Sequence, residues 1–211
     1  GQIVWGIPIH QKPTSLLFHY KDKLTGDPNR IKLSGFSKRS EVDGIDMPLV
    51  NLFLQKRWED KDGNIYAKRI GTLVIRMDKN TDWVNDANFT ILYGDITKRS
   101  DYKEYMGFQL GESARYSLNS KGKNVPIQEI GWGTEDDEVT HMILEFCSSH
   151  GGSYIGSPGN TFWVDNIRLG YWTYYRWNPM VFVSGLDTEA NKWSVACFIL
   201  WFRDQNIIVL Y

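Results

Sequence analysis

Aromatic side chains are the residues of this sequence best suited to bind a ligand. The 211 residues include 9 Trp, 11 Tyr and 10 Phe. A pyranose ring has an apolar C–H face that stacks on an indole or phenol ring, while polar neighbours at the edge fix its hydroxyl groups. An aromatic residue in a loop beside hydrogen-bonding residues therefore predicts a sugar-binding site.

Three aromatic residues and one histidine fit this pattern. Trp132 has a glycine on each side, which leaves space around its ring, and Tyr154 lies midway along a glycine-rich loop. Trp83 stands at the start of a predicted strand, and His150 is the histidine expected at the rim of a site. The alternative for each aromatic residue is a surface ring that folds down onto a sheet.

The remaining tryptophans are expected to serve packing. Trp58, Trp163 and Trp193 fall in strand-like runs, where core or cross-strand packing is favoured over ligand contact. These three residues are therefore left out of the predicted site.

Catalytic chemistry has weaker support. The sequence contains no G-x-S-x-G, H-E-x-x-H, phosphate-loop or paired C-x-x-C motif, and its four histidines lie far apart. Hydrolysis of a glycosidic bond needs two carboxylates that flank the bond. Glu135 and Asp137 belong to a short acidic run that is typical of a solvated loop. No catalytic residue is predicted, and a glycoside hydrolase or lyase using Glu135 or Asp137 is the alternative.

One acidic segment resembles the opening of a calcium-binding loop. Asp60, Asp62 and Gly63 form a D-x-D-G pattern, but the bidentate Glu of such a loop does not follow. Asp-Gly and Gly-Asn dipeptides tolerate positive φ, which favours a β-hairpin turn here.

The elements that must position these residues are predicted to be strands. An apolar run over residues 142–147, the glycine-rich loop 148–160 and an alternating run over 161–169 predict two strands that form the closing hairpin of a β-sandwich. The alternation slips once at Asp165 and Asn166, which predicts a β-bulge. Other strands are predicted at 15–20, 31–36, 49–58, 65–77 and 81–93. The polar segment 101–125 is predicted to be a long connection with a short helix near 101–106.

Three segments together resemble a known family. Val164-Asp165-Asn166-Ile167-Arg168-Leu169-Gly170-Tyr171, the opening run Lys12–Lys21, and Asp82-Trp83 followed by Phe89–Tyr93 are similar to segments of the carbohydrate metabolism domain found in secreted and surface proteins of gut Bacteroidetes. The resemblance covers Lys12–Tyr171. It implies an all-β jelly-roll sandwich of two antiparallel sheets that binds carbohydrate, in a secreted or cell-surface protein.

The same resemblance suggests a metal. In many jelly-roll modules the residue that matches Asp165 helps to hold a structural calcium ion, which makes Asp165 the metal candidate. The alternative is that Asp165 accepts hydrogen bonds from backbone amides at the bulge. No other cofactor is expected.

Two units are predicted along the chain. Residues 1–171 form the carbohydrate-binding-module-like jelly roll, and 172–211 form an aromatic-rich β tail that packs on or extends the same domain. The tail departs from the family pattern. It is expected to cover an exposed face, with an oligomer or protein interface as the alternative.

Charge and composition exclude several classes of partner. The 24 basic and 25 acidic residues nearly cancel, which gives no electrostatic basis for binding nucleic acid. No apolar stretch reaches the ~18–20 residues of a membrane helix, and residues 1–5 do not resemble a signal peptide. The resemblance favours a mature secreted form. Cys147 and Cys197 are expected to be free, buried thiols.

Three functions follow from these observations. Non-catalytic binding of an oligo- or polysaccharide is the leading prediction. A carboxylate-dependent glycoside hydrolase or lyase is the first alternative, and an adhesin-like sandwich that acts through protein contacts is the second.

Overall fold

The computed structural model describes residues 3–25, 30–34, 38–152 and 154–171, and the backbone of tail strands at 186–187, 192–193, 199–203 and 206–210. The chain divides into two compact units, Gly1–Trp172 and Thr173–Tyr211. The predicted all-β class is confirmed, since the described residues contain strands, two short 3-10 turns and no α-helix.

The described part of the first unit contains both short and long strands. They are β1 (Ile7–Pro8), β2 (Ser15–Lys23), β3 (Arg30–Ser34), β4 (Lys38–Val42), β5 (Leu49–Glu59), β6 (Ile65–Arg76), β7 (Val84–Thr90), β8 (Leu92–Tyr93), β9 (Tyr116–Leu118), β10 (Asn124–Trp132), β11 (His141–Cys147), β12 (Ile155–Gly156) and β13 (Thr161–Gly170). The 3-10 turns are Glu104–Met106 and Gly111–Ser113. The first of these turns lies within the segment predicted to be a short helix.

The largest sheet has seven strands in the order β1-β11-β5-β6-β10-β9, with β8 also paired to β6, and it curls into a half-barrel. Its centre is the β5–β6 hairpin. The Asp60 carboxylate accepts hydrogen bonds from the backbone amides of Asp62 (3.0 Å) and Asn64 (2.8 Å), and Gly63 has a φ of +92°. The predicted hairpin turn is therefore confirmed at this segment.

A second sheet, β13-β2-β7, packs on one face of the large sheet. Because side chains alternate along a strand, Leu16 and Phe18 of β2 point inward, where they join Leu52 and Leu54 of β5 in a fully buried core. Intervening residues of β2, such as His19, lie on the solvent side. A third small sheet has the order β12-β3-β4.

The other face of the large sheet carries a second apolar cluster. Phe53, Ile127 and Ile143 are buried there, and Trp5 packs against them from the chain start. The large sheet is thus covered on both faces in its central part, which explains the nearly continuous apolar character of β5.

Two predictions about strand pairing are wrong. β11 and β13 do not form a hairpin, because β11 pairs with β5 in the large sheet and β13 pairs with β2 in the second sheet. The sheets are not wholly antiparallel either, because β10 runs parallel to β6. The predicted bulge is confirmed by a register shift between Asp165 and Arg168.

The tail strands form two antiparallel pairs. Leu186–Asp187 (β14) pairs with Lys192–Trp193 (β15), and Ile199–Arg203 (β16) pairs with Asn206–Leu210 (β17). The predicted packing of the tail, its role as an interface and the environments of Trp193 and Cys197 lie outside the described residues. In the described part of the chain, no helix combines the length and apolar character needed to cross a membrane.

Candidate functional site

Trp132 and Tyr93 end two strands that share one edge of β6. β10 pairs in parallel with β6 up to Arg69, and β8 pairs antiparallel with β6 from Gly71 onward. Ile70 lies between them, at a register shift in the β5–β6 ladder. Because both strands end at this point, their chains turn away from the sheet and leave a cleft between them.

Two glycines fix the floor of this cleft. The Gly94 amide donates to the carbonyl oxygen of Ile70 (3.0 Å), and the Gly133 amide donates to that of Arg69 (2.9 Å). Gly94 has a φ of +79°, which is strained for other residues. A Cβ on Gly133 would lie 2.1 Å from Cδ1 of Ile70. The positive φ favours glycine at position 94, and the close approach to Ile70 requires glycine at position 133.

The cleft is shallow and open to solvent. We call it the Trp132 cleft, and it is lined by two aromatic residues, two glycines and three polar residues: Tyr93, Gly94, Asp95, Trp132, Gly133, Thr134 and Glu135. This composition matches a site where a sugar ring stacks on an aromatic face and its hydroxyl groups meet polar groups at the edge.

The Trp132 ring packs against Phe108 and lies near Arg69. Its centroid lies 4.7 Å from that of Phe108, and the Arg69 guanidinium lies 6.0 Å from the indole. The structure corrects one prediction here. Trp132 is the last residue of a strand rather than part of a loop, because its flanking glycines serve a bulge and a close approach.

Tyr93 is anchored as well. Its hydroxyl group donates to the carbonyl oxygen of Pro13 (2.7 Å). Burial, with a contribution from nearby Tyr171, raises the pKa of the phenol, so Tyr93 stays protonated and keeps this hydrogen bond. The ring is therefore fixed in place, and it packs against the core formed by β2 and β5.

Two carboxylates near the cleft have lowered pKa values. Asp95 accepts hydrogen bonds from the hydroxyl group (2.7 Å) and the amide (2.9 Å) of Thr97, which lower its pKa. The pKa of Asp137 is lowered first by the Thr134 amide (3.0 Å) and then by Lys56 (3.1 Å). A general acid for glycoside cleavage needs a raised pKa, so both groups suit structural or charge-holding roles.

Glu135 lies on the rim of the cleft and is exposed. Its backbone carbonyl accepts a hydrogen bond from the Lys12 ammonium group, which ties the rim to the chain start. Glu135 and Asp95 thus stand on opposite walls of the same cleft.

Tyr154 lies in a different place from Trp132. It is 78% exposed, has a φ of +64°, and lines a separate open cavity with Leu33 and Arg39. In the described parts of the chain, the cleft lined by Trp132 and the cavity lined by Tyr154 do not share a lining residue.

His150 is engaged inside the protein. Its Nδ1 accepts a hydrogen bond from the Met47 amide (3.1 Å) and lies 3.4 Å from the Asp46 carboxylate. Burial lowers the pKa of this imidazole, which favours the neutral ring. His150 therefore orders the loop that follows β11.

Trp83 and Asp165 lie on the solvent side of the β13-β2-β7 sheet. Trp83 is 49% exposed. The Asp165 carboxylate accepts a hydrogen bond from the Asn166 amide (2.7 Å), which is the arrangement of the predicted alternative to calcium. Among the described residues, no group of three or more His, Cys, Asp or Glu side chains could hold a metal ion. Calcium at Asp165 stays a prediction.

Sequence reasoning missed Tyr93 and Asp95. A signal for them exists, because Tyr93-Gly94-Asp95 and Trp132-Gly133-Thr134 share the order aromatic, glycine, polar residue. Each triplet marks a strand end where the chain leaves the same edge of β6.

Comparison of the chain with protein-family models, curated proteins and solved structures gives no match.

Proposed function

We propose that this protein binds carbohydrate without catalysis, through the Trp132 cleft. The observation that carries the proposal is one open cleft in which the aromatic residues Trp132 and Tyr93 adjoin the polar residues Asp95, Thr134 and Glu135. The resemblance of Lys12–Tyr171 to a carbohydrate metabolism domain supports a jelly-roll sandwich and a secreted or cell-surface location.

The shape of the cleft supports a sugar ligand over a drug-like apolar molecule. An enclosed apolar pocket would bury most of a small ligand, whereas this cleft leaves one side of its ligand in water. Stacking supplies the apolar contact, and the carboxylates and the hydroxyl group accept or donate hydrogen bonds at the edge. The expected affinity is millimolar to micromolar, or roughly −4 to −8 kcal/mol.

One observation favours a glycoside hydrolase as the second candidate. Asp95 and Glu135 are carboxylates on opposite walls of the cleft, and hydrolysis uses two such groups. The lowered pKa of Asp95 fits a nucleophile or a charge-holding role and does not fit a general acid. Release of reducing ends from a bound polysaccharide would separate this candidate from simple binding.

Affinity gel electrophoresis tests the proposal. The parent protein and Trp132→Ala are run through gels containing hydroxyethyl cellulose, xylan, glucomannan or soluble starch. Trp58→Ala is a matched control, because Trp58 is 40% exposed and stacks on Tyr66 (6.0 Å) away from the cleft.

Retardation of the parent and of Trp58→Ala, with loss of retardation in Trp132→Ala, is the expected result. Circular dichroism and thermal melting confirm that each variant is folded. Equal retardation of the parent and Trp132→Ala would show that the sugar does not bind in the Trp132 cleft. Absence of retardation of the parent in every gel would contradict carbohydrate binding.

A further inference from the structure

Two exposed tryptophans flank one lysine on the solvent side of the β13-β2-β7 sheet, which we call the outer face. Trp163 of β13 pairs directly with Lys21 of β2, and the Lys21 ammonium lies 5.9 Å from the indole centroid. Trp163 is 40% exposed. Since Phe162 and Val164 pack on the core, alternation directs Trp163 outward.

Trp83 stands on the other side of Lys21. It immediately precedes Val84, which pairs with Tyr20, so the strand register brings Trp83 beside Lys21. The Lys21 ammonium is also 3.2 Å from the carboxylate of Asp82. Trp163 therefore lies in one strand that flanks β2, and Trp83 directly precedes the other. Two strand spacings of about 4.8 Å separate these two strands by about 10 Å.

A fixed polar cluster adjoins this aromatic row. Nε2 of His19 lies 3.2 Å from the Asp86 carboxylate and 3.0 Å from Nδ2 of Asn166. The Arg168 guanidinium also donates to Asp86. These groups are held in place by one another before any ligand arrives.

Backbone irregularities on both neighbouring strands create the cluster. Asp86 and Asn166 each have a φ of +51°, and each lies at a register shift opposite His19. Bulges redirect side chains, and left-handed non-glycine residues are found preferentially at functional sites. Two such residues from different strands converge on the half-buried imidazole of His19.

We infer that the outer face is a second carbohydrate-binding surface, which takes a neutral, extended oligo- or polysaccharide along the row Trp83–Lys21–Trp163. This inference rests on the proposed function for the ligand class. The spacing of about 10 Å between the two flanking strands is about the length of two sugar units of an extended chain. Trp163 and Trp83 supply one stacking ring each, and the His19 cluster lies beside them.

Charge selects a neutral chain over an acidic one. Lys21 is paired with Asp82, and Arg168 is paired with Asp86. Both cations that border the row are thus already matched by exposed carboxylates, so neither offers an unpaired positive charge to a uronate. The Trp132 cleft then binds one end of a sugar chain. The outer face binds further sugar units, which only a longer chain has.

The experiment compares the parent, Trp83→Ala/Trp163→Ala, Trp132→Ala and the Trp58→Ala control. Each is run in gels containing a neutral polysaccharide (hydroxyethyl cellulose, xylan, glucomannan or soluble starch) or polygalacturonate. Binding of a disaccharide prepared from the retained polysaccharide, which is too short to reach both indoles, is measured by calorimetry. Sedimentation velocity reports the oligomeric state of each protein.

The double variant is expected to bind the neutral polysaccharide roughly tenfold or more weakly than the parent, because it lacks two stacking contacts. Its affinity for the disaccharide is expected to stay unchanged, and Trp132→Ala is expected to lose the disaccharide. If Trp132→Ala keeps the disaccharide while the double variant loses the polysaccharide, the result supports the outer face and contradicts the proposed role of the cleft.

Three results would overturn the inference. Parent-like polysaccharide binding by the double variant, with binding lost in Trp132→Ala, refutes the outer face and leaves the proposed function intact. Preference for polygalacturonate refutes the neutral ligand. A dimer of the parent that the double variant loses, without any glycan retardation, assigns the face to a second copy of the chain and contradicts both proposals.

Discussion

Arg69 and Glu129 form a fully buried ion pair beneath the Trp132 cleft. The side chains are 0% and 2% exposed, and Nε of Arg69 lies 2.6 Å from the Glu129 carboxylate. Glu129 also accepts hydrogen bonds from Gln55 (2.7 Å) and from the backbone amide of Gln109 (2.9 Å). The pair thus joins β6 and β10 to the segment that carries Phe108, on which Trp132 rests.

Glu129→Gln removes the charge but keeps the shape, and it leaves the Arg69 guanidinium buried without its counter-charge. The free energy of unfolding is expected to fall by about 3–5 kcal/mol. Urea denaturation followed by tryptophan fluorescence measures this loss. Arg69→Met/Glu129→Leu is the matched variant, and it should recover most of the lost stability because no unpaired charge stays buried. A change below about 1 kcal/mol in Glu129→Gln would show that the pair is not buried as described.

Gly133→Ala tests the close approach of the cleft wall to β6. The new Cβ would lie 2.1 Å from Cδ1 of Ile70, and overpacking of this kind costs about 1–3 kcal/mol. Ile70→Val removes that methyl group, so the double variant Gly133→Ala/Ile70→Val should lose less stability than the sum of the single variants. Gly131→Ala has open space around its Cβ and serves as the control. Thermal denaturation compares the four variants with the parent, and equal effects at Gly131 and Gly133 would contradict this geometry.

The sequence predicts features that depend on neighbouring residues better than features that depend on contacts between distant segments. The Asp60–Asn64 turn and the bulge at Asp165 arise from neighbouring residues, and both are confirmed. The partners of β11 and β13 are set by packing between distant segments, which explains why the predicted hairpin between them is wrong. The parallel pairing of β10 with β6 is equally nonlocal.

The candidate site was predictable only in part. The glycine neighbours of Trp132 single it out in the sequence, but Gly133 reflects contact with β6 and Gly131 lies at a bulge, and neither marks an exposed loop. Tyr93 comes to the same cleft because β8 ends on the edge that β10 also uses, and no sequence distance reveals such a meeting. Tyr154 matched the same aromatic pattern, yet the fold places it in another cavity.

Removal of the Asp22 charge is expected to raise the free energy of unfolding. The side chain is 1% exposed, and within the described residues neither carboxylate oxygen has a hydrogen-bond partner of normal geometry. Burial raises its pKa from 3.8 to about 6, with partial opposition from the Lys23 amide. The unfolded state therefore releases the proton first, and stability falls as the pH rises from about 4 to 6. Above pH 6, Asp22→Asn should be more stable than the parent by about 3 kcal/mol.

The pH at which Asp22→Asn differs from the parent provides the control. Below about pH 3 the parent carboxyl is protonated in both states, so the two proteins should have nearly equal stabilities by urea denaturation. A stability gain that does not change between pH 4 and 7 would assign the effect to packing and not to the titration of Asp22.

His141 is expected to make the free energy of unfolding depend on pH in the opposite direction. Burial, followed by the charges of Arg57 and His10, lowers its pKa from 6.5 to about 4. The unfolded state then binds the proton more readily, so stability is present above pH 6.5 and is lost as the pH falls toward 4. The loss should be about 3 kcal/mol in the parent and absent in His141→Gln. Urea denaturation in the Asp22→Asn background isolates this slope, and identical acid sensitivity with Gln at position 141 would contradict the assignment.

The most direct test of the Trp132 cleft is 19F NMR of protein labelled with 5-fluorotryptophan. The Trp132 resonance is assigned with Trp132→Phe, and the labelled protein is titrated with an oligosaccharide prepared from the polysaccharide that retards it. Binding in the cleft predicts a saturable shift of the Trp132 resonance with no shift of the Trp58 resonance. Saturable binding by calorimetry with an unmoved Trp132 resonance would contradict binding in the cleft, because the sugar would then bind elsewhere.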